Sequence, residues 1–179
     1  MRKLRNDELG RLQVSEFKSV PKIPITIILD NIRSLMNVGS VFRTSDAFII
    51  KEIILCGITA KPPHREIQKT ALGATESVEW RYEEDTLEVV KSLQNMDVNV
   101  YAIEQADKSI MLDEFEFKFN KEIAFVFGNE VKGVRQDVVE AADACIEIPQ
   151  FGTKHSLNIS ISAAIVIWET FQQYQKSLS

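Results

Sequence analysis

Short apolar runs alternate with helical patterns along the whole chain, and this alternation limits the fold more than any other feature. The runs ITIILD (25–30), KEIILCG (51–57), VNVYAIE (98–104), EIAFVF (122–127) and ACIEIP (144–149) are rich in Ile, Val and Phe and read as buried strands. ESVEWRY (76–82) alternates polar and apolar residues and reads as a weaker or edge strand. Helical patterns fall near 38–49, 84–95 and 135–142. A long final helix over 157–175 carries Leu157, Ile161, Ile165, Trp168 and Phe171 at core spacing. An amphipathic helix is expected near 4–17. Strands alternating with helices predict an α/β layered domain with a mostly parallel sheet and helices on both faces. The expected division is a basic N-terminal extension, 1–22, and one domain, 23–179, with no internal repeat, low-complexity tract or linker.

The 179 residues are 45% hydrophobic, enough for one sizeable core. No run approaches the ~20 apolar residues of a membrane span. The N-terminus, MRKLRNDELGRLQVSEF, is charged throughout and lacks the apolar segment of a secretory signal. Cys56 and Cys145 lie at the ends of apolar runs and read as buried free thiols rather than a disulfide. A cytoplasmic protein is expected. The net charge of −5 argues, taken alone, against a nucleic-acid partner. The way the charge is distributed weakens that objection. Residues 83–116 hold ten acids and two bases, a net of −8, so the remainder sums to +3. Residues 1–22 carry six bases against three acids. The acidity is a patch, most simply a solvated face, and RNA binding elsewhere stays open.

In open α/β sheets, ligands collect at the carboxyl ends of the strands. Three segments expected there are unusual for connectors: NVGSVFR after the first strand, GNEVKG after FVF, and IPQFGTKHSLNIS after ACIE. GNEVKG has the glycine spacing of a phosphate-binding P-loop, but Val134 and Arg135 stand where Lys and Ser/Thr should follow. No G-x-G-x-x-G follows a strand, and no G-x-S-x-G elbow exists. His64, His155 and the two cysteines lie in four separate segments without zinc spacing, so no metal is expected. Backbone, hydroxyls, amides, carboxylates and arginines remain, a set suited to group transfer from a cofactor that carries its own activated group.

Arg43 follows the Asn-Val-Gly turn so closely that it falls on the first turn of the apparent helix, where the helix dipole disfavours a cation. Asn37 can cap that helix, Gly39 bares a patch of it, and Arg43 lies four residues on, on the same face. An anion at the helix entrance would meet free N–H groups and the arginine together; a surface pair with Asp46 or Asp30 is the alternative. Gly128 lets a ligand reach the strand-end backbone, and Glu130 supplies a carboxylate. Ser156 reads as the cap of the final helix. Asn158 lies on that helix's first turn among apolar residues, where an amide is costly if buried without partners. The SISAA that follows is small-sided enough for close approach of another backbone or a flat ligand.

In this order, the three segments resemble the motifs of the SpoU-type RNA ribose 2′-O-methyltransferases of the SPOUT superfamily. Asn37, Gly39 and Arg43 match N-x-G-x-x-x-R. Phe127, Gly128, Glu130 and Gly133 match F-G-x-E-x-x-G, and Ile148, Pro149, Gly152, Ser156, Leu157, Asn158 and Ser160 match the third motif. KTALGA (69–74) also resembles a family loop, and the likeness covers roughly 24–172. It implies an α/β domain with a C-terminal trefoil knot, S-adenosylmethionine as cofactor, and a homodimer whose active site draws on both chains. Carried over, the cofactor site uses Gly128, Ile148 and Leu157, with Ile103 and Glu104 as weaker candidates. Arg43, Asn37, Ser156 and Asn158 form the catalytic set, and Glu130 shapes the second motif's loop. Arg43 is assigned to the 2′-OH or its phosphate; as a guanidinium it suits charge stabilisation better than proton removal. The implied substrate is RNA, a tRNA guanosine before ribosomal RNA. A member that binds RNA or S-adenosylmethionine without catalysis is the competing class.

Overall fold

The structure, a computed structural model, describes residues 1–178. Seven strands form one sheet in the order β3-β2-β1-β6-β4-β7-β5, every adjacent pair parallel. They are β1 (Ile23–Asp30), β2 (Ile50–Cys56), β3 (Glu79–Glu83), β4 (Asn99–Ile103), β5 (Ile110–Met111), β6 (Ile123–Phe127) and β7 (Ala144–Glu147). The helices are α1 (Val14–Ser19), α2 (Leu35–Ala47), α3 (Arg65–Ala71), α4 (Ala74–Ser77), α5 (Thr86–Asn95), α6 (Gln136–Ala141) and α7 (Ile159–Ser177).

The central strands read as unbroken apolar runs because both of their faces are covered. Alternate side chains go to opposite faces. Ile25, Ile27, Leu29, Phe125 and Phe127 join Val38 and Phe42 of α2 and Val166 and Ile167 of α7 in one core. Ile28, Ile54, Val100, Ala124 and Val126 meet Val89, Val90 and Leu93 of α5 and Val138 of α6 in the other. The α/β class expected from the alternation is therefore the fold found, and the weak strand lies at the sheet's edge as β3. Its register is later than expected, because Glu76 and Ser77 belong to α4. Among the described residues, no helix is long and apolar enough to cross a membrane.

Three local expectations fail. The helix near 4–17 is a 3-10 turn over Asn6–Glu8 followed, after Gly10 at φ +59°, by the separate α1. Leu4, Leu9 and Leu12 are exposed, so no core contact extends the turn, whereas Phe17 of α1 is buried. In α7, the inward positions are Ile159, Ala163, Val166, Ile167 and Thr170. Of the series expected to face the core, Leu157, Ile161 and Trp168 are exposed, whereas Ile165 and Phe171 are partly buried and pack against it. Small Ala163 and Thr170 are buried instead, the Thr170 hydroxyl donating to the Val166 carbonyl at 2.7 Å, and α7 packs on α2. The bare patch at Gly39 is no ligand site either. A Cβ there would lie 2.3 Å from the Ile67 carbonyl and 2.1 Å from Thr70 Oγ1, so the glycine admits α3.

Candidate active site

The carboxyl ends of β4, β6 and β7 open into a cleft of about 850 Å³. Its two lips are the loop after β6, 128–134, and the loop after β7, 148–158. All five residues expected around a cofactor, Ile103, Glu104, Gly128, Ile148 and Leu157, line this cleft, as do Glu130, Ser156 and Asn158. Asn37 and Arg43 do not line it.

The first lip is held from several sides. Asn129 and Gly133 exchange both backbone hydrogen bonds, at 3.0 and 2.8 Å. The Asn129 carboxamide oxygen accepts from the Val131 and Lys132 N–H groups, and its nitrogen donates to the Asn31 carbonyl at 2.7 Å. Glu104 accepts from Val134 N–H at 2.9 Å and from Gln105 N–H at 2.8 Å. A Cβ on Gly128 would fall 2.1 Å from the Gly133–Val134 backbone, and one on Gly133, at φ +68°, 2.1 Å from Glu104 Oε2. Gly128 thus serves the loop's own return as well as lining the cleft, and Glu104 braces the loop.

Glu130 reaches away from its loop. Its carboxylate accepts from Arg33 N–H at 2.9 Å, Ser34 N–H at 3.0 Å and Asn37 Nδ2 at 3.0 Å. Partial burial alone would push this carboxyl up, but those donors outweigh it and hold it below the usual carboxylate range. Glu130, expected to shape its own loop, acts on it from outside by tying it to the start of α2, while Asn129 and Glu104 brace it from within. Asn37 is not the cap of α2. Ser34 is, accepting from Asn37 N–H at 3.3 Å, and Asn37 sits inside the first turn.

The final helix is likewise capped by Asn158, whose Oδ1 accepts from Ser160 N–H at 2.9 Å, and not by Ser156. Ser156 is free of that duty and faces the cleft. The Asn158 amide nitrogen donates to Asn37 Oδ1 at 3.2 Å. One chain of hydrogen bonds, Glu130 to Asn37 to Asn158, therefore joins all three sequence segments.

Arg43 stands in the third turn of α2, not the first, so the conflict with the helix dipole disappears. It is exposed, and among the described residues it has no hydrogen-bond or ion-pair partner. The alternative pairing is excluded, because Asp46 accepts from Ser77 while Asp30 accepts from Asn31 and Thr86. Burial pushes the Cys56 thiol up to about 12 and the Cys145 thiol up to about 11, so neither is a thiolate nucleophile at neutral pH. Among the described residues, no group of three or more His, Cys, Asp or Glu side chains is arranged to hold a metal ion.

Sequence reasoning missed Ser34, Asn129 and the bracing by Glu104. Ser34 had a signal, a serine three residues before Asn37 at a helix start. Glu104 had none, since the loop it braces, at Val134, lies 30 residues away in the chain.

The model of the SpoU rRNA Methylase family matches residues 24–168, and the chain belongs to that family. A tRNA (guanosine(18)-2′-O)-methyltransferase of Thermus thermophilus is 29% identical over 170 residues, which is 95% of this chain and 86% of the relative. A 23S rRNA (guanosine-2′-O-)-methyltransferase of Neisseria meningitidis is also 29% identical, over 84% of this chain; the match spans only 59% of that relative. Among solved structures, the TrmH/SpoU tRNA modifying enzyme of A. aeolicus superposes with a TM-score of 0.79 at 23% identity, covering 90% of this chain and 80% of that one. An AdoMet-bound rRNA methyltransferase from Sinorhizobium meliloti gives 0.78 at 26% identity, covering 91% of this chain and 61% of that one.

Proposed function

We propose that the protein is a cytoplasmic enzyme that transfers a methyl group from S-adenosylmethionine to a ribose 2′-OH of RNA, with a tRNA guanosine as the target. The observation that carries this reading is the Glu130–Asn37–Asn158 chain, which gathers the three family motifs at the mouth of one cleft. The tRNA is favoured over ribosomal RNA by extent of match: 86% of the tRNA-modifying relative is covered, against 59% of the ribosomal one. The basic extension 1–22 adds cations for an RNA backbone.

The cleft fits the cofactor. Its volume is within the roughly 300–1,000 Å³ of small-molecule sites, and Glu104, Asp107 and Glu147 on its wall favour a cationic ligand. Bound there, S-adenosylmethionine supplies an electrophilic methyl on a positively charged sulfur. The chain's own residues must orient the ribose oxygen and stabilise the charge it develops on losing its proton. Ser156 and Asn158 are at the cleft to position the nucleotide. A guanidinium stays protonated, so Arg43 acts as the electrostatic stabiliser.

Arg43 lies outside its own chain's cleft, which supports a homodimer in which it serves the partner's cleft. The exposed apolar side chains of α7, Ile161 and Trp168, support an interface on that helix. Trp168 already stacks on Phe171 with ring centroids 5.9 Å apart, giving a flat aromatic surface. The trefoil knot belongs to the same reading.

The test is transfer from labelled S-adenosylmethionine, with a chelator present, into separate pools of unmodified tRNA and ribosomal RNA. Label in tRNA is expected. Label confined to ribosomal RNA would shift the substrate to the runner-up, and cofactor binding without transfer to either pool would favour a non-catalytic binding protein.

A further inference from the structure

Ten phenylalanines occur in the chain, and nine are buried or partly buried. The tenth, Phe151, is 98% exposed on the lip that follows β7. It makes no ring contact with any other described aromatic side chain. Three residues further along is Lys154, exposed and without an ion-pair partner among the described residues. The opposite lip repeats the combination, with Val131 at 76% exposure beside Lys132, also exposed and unpaired. Between the lips the cleft wall is acidic, with Glu104, Asp107 and Glu147. The interior therefore suits a cation, whereas the rim pairs apolar surface with positive charge.

An aromatic face next to unpaired lysines is what an unpaired nucleotide requires. Its base stacks on an aromatic ring, and its phosphates seek cations. A paired base offers no free face, because its neighbours in the helix already cover it. We propose that the two lips are a clamp for single-stranded RNA, in which Phe151 stacks on one unpaired base beside the target ribose while Lys132 and Lys154 meet the flanking phosphates. The inference rests on the RNA-methyltransferase reading and sharpens it: the modified nucleotide lies in a loop or other unpaired segment, and Phe151 selects for that state.

Fluorescence anisotropy with a single-stranded RNA oligonucleotide and its duplex tests the clamp, alongside cofactor calorimetry and sedimentation. The wild type is expected to prefer the single strand. Phe151→Ala should weaken single-strand binding about tenfold, the scale of one lost stacked base, with duplex binding, cofactor affinity and oligomeric state unchanged. Phe151→Trp should keep the affinity, and Phe151→Leu, apolar but without a π-face, should not. Lys154→Ala should lower the salt slope by about 0.7. Full affinity in the leucine variant would overturn the proposal. So would an alanine variant whose defect lies in cofactor binding, making Phe151 a cover for the cofactor, or in sedimentation, making it a contact with a second copy. A wild type with no preference for the single strand would also overturn it. If instead the wild type shows the clamp's full pattern but transfers methyl to no RNA, the clamp stands and the methyltransferase activity fails.

Discussion

The two lips of the cleft are built in opposite ways. The lip after β6 is pinned by its own backbone pair, by Asn129, by Glu104 and, through Glu130, by the start of α2. In the lip after β7, none of residues 148–157 makes a hydrogen bond to any described residue, and the segment is fixed only where β7 ends and where Asn158 caps α7. The same contrast runs along α2, where Asn37 is bonded at both ends of its amide while Arg43 has no partner. Bonded groups set geometry before any ligand arrives, whereas unbonded polar and aromatic groups keep their interactions available for one. Substitutions in the two sets should therefore fail differently, the first in stability and the second in turnover or binding.

The largest expected effect belongs to the unbonded set. Arg43→Ala should slow single-turnover methyl transfer about 10²–10³-fold, the usual loss for one preorganised electrostatic group. Thermal stability and cofactor affinity should stay at the wild-type level, because this side chain holds nothing in the fold. Arg43→Lys should rescue poorly, since an ammonium lacks the planar fork of donors. A rate within about threefold of wild type would place this arginine with ordinary surface charges.

Next comes the braced set. Glu130→Ala should lower stability by about 1–2 kcal/mol, a modest sum for hydrogen bonds to an exposed carboxylate, and should slow transfer by loosening Asn37 and Asn158. Because this carboxyl titrates below its ordinary value in the folded chain, its contribution is complete above the usual carboxylate range. It fades as the pH falls through the depressed folded value. Denaturant melts at neutral and acid pH should show the gap between wild type and variant closing in acid; a gap that widens there would break the assignment. The smallest effect is expected from Thr153→Ala in the unbonded lip, a stability change within about 0.5 kcal/mol by the same melts. A larger loss would mean that this lip is braced after all.

Much of this arrangement is legible in the sequence, for identifiable reasons. Strands buried on both faces leave unbroken runs such as ITIILD, and the cleft loops carry residues too unusual for connectors. The register of α7 is not legible, because apolar residues lie on more than one side of it and periodicity cannot choose between Ile161 and Ala163 as the inward position. The caps lie two or three residues from where the pattern puts them, since Ser34 and Asn37, like Ser156 and Asn158, are all competent capping types. The isolation of Arg43 and the bracing of Gly133 by Glu104 depend on contacts between distant segments, which no local pattern records.

The central claim is that the methyl group goes to a ribose oxygen. Alkaline hydrolysis tests it directly, because cleavage needs a free 2′-OH to attack the neighbouring phosphate. tRNA labelled by the enzyme should yield its label in an alkali-resistant dinucleotide and, after enzymatic digestion, in 2′-O-methylguanosine. Label recovered in a base-methylated mononucleotide would contradict the claim, whatever the enzyme's affinity for cofactor or RNA.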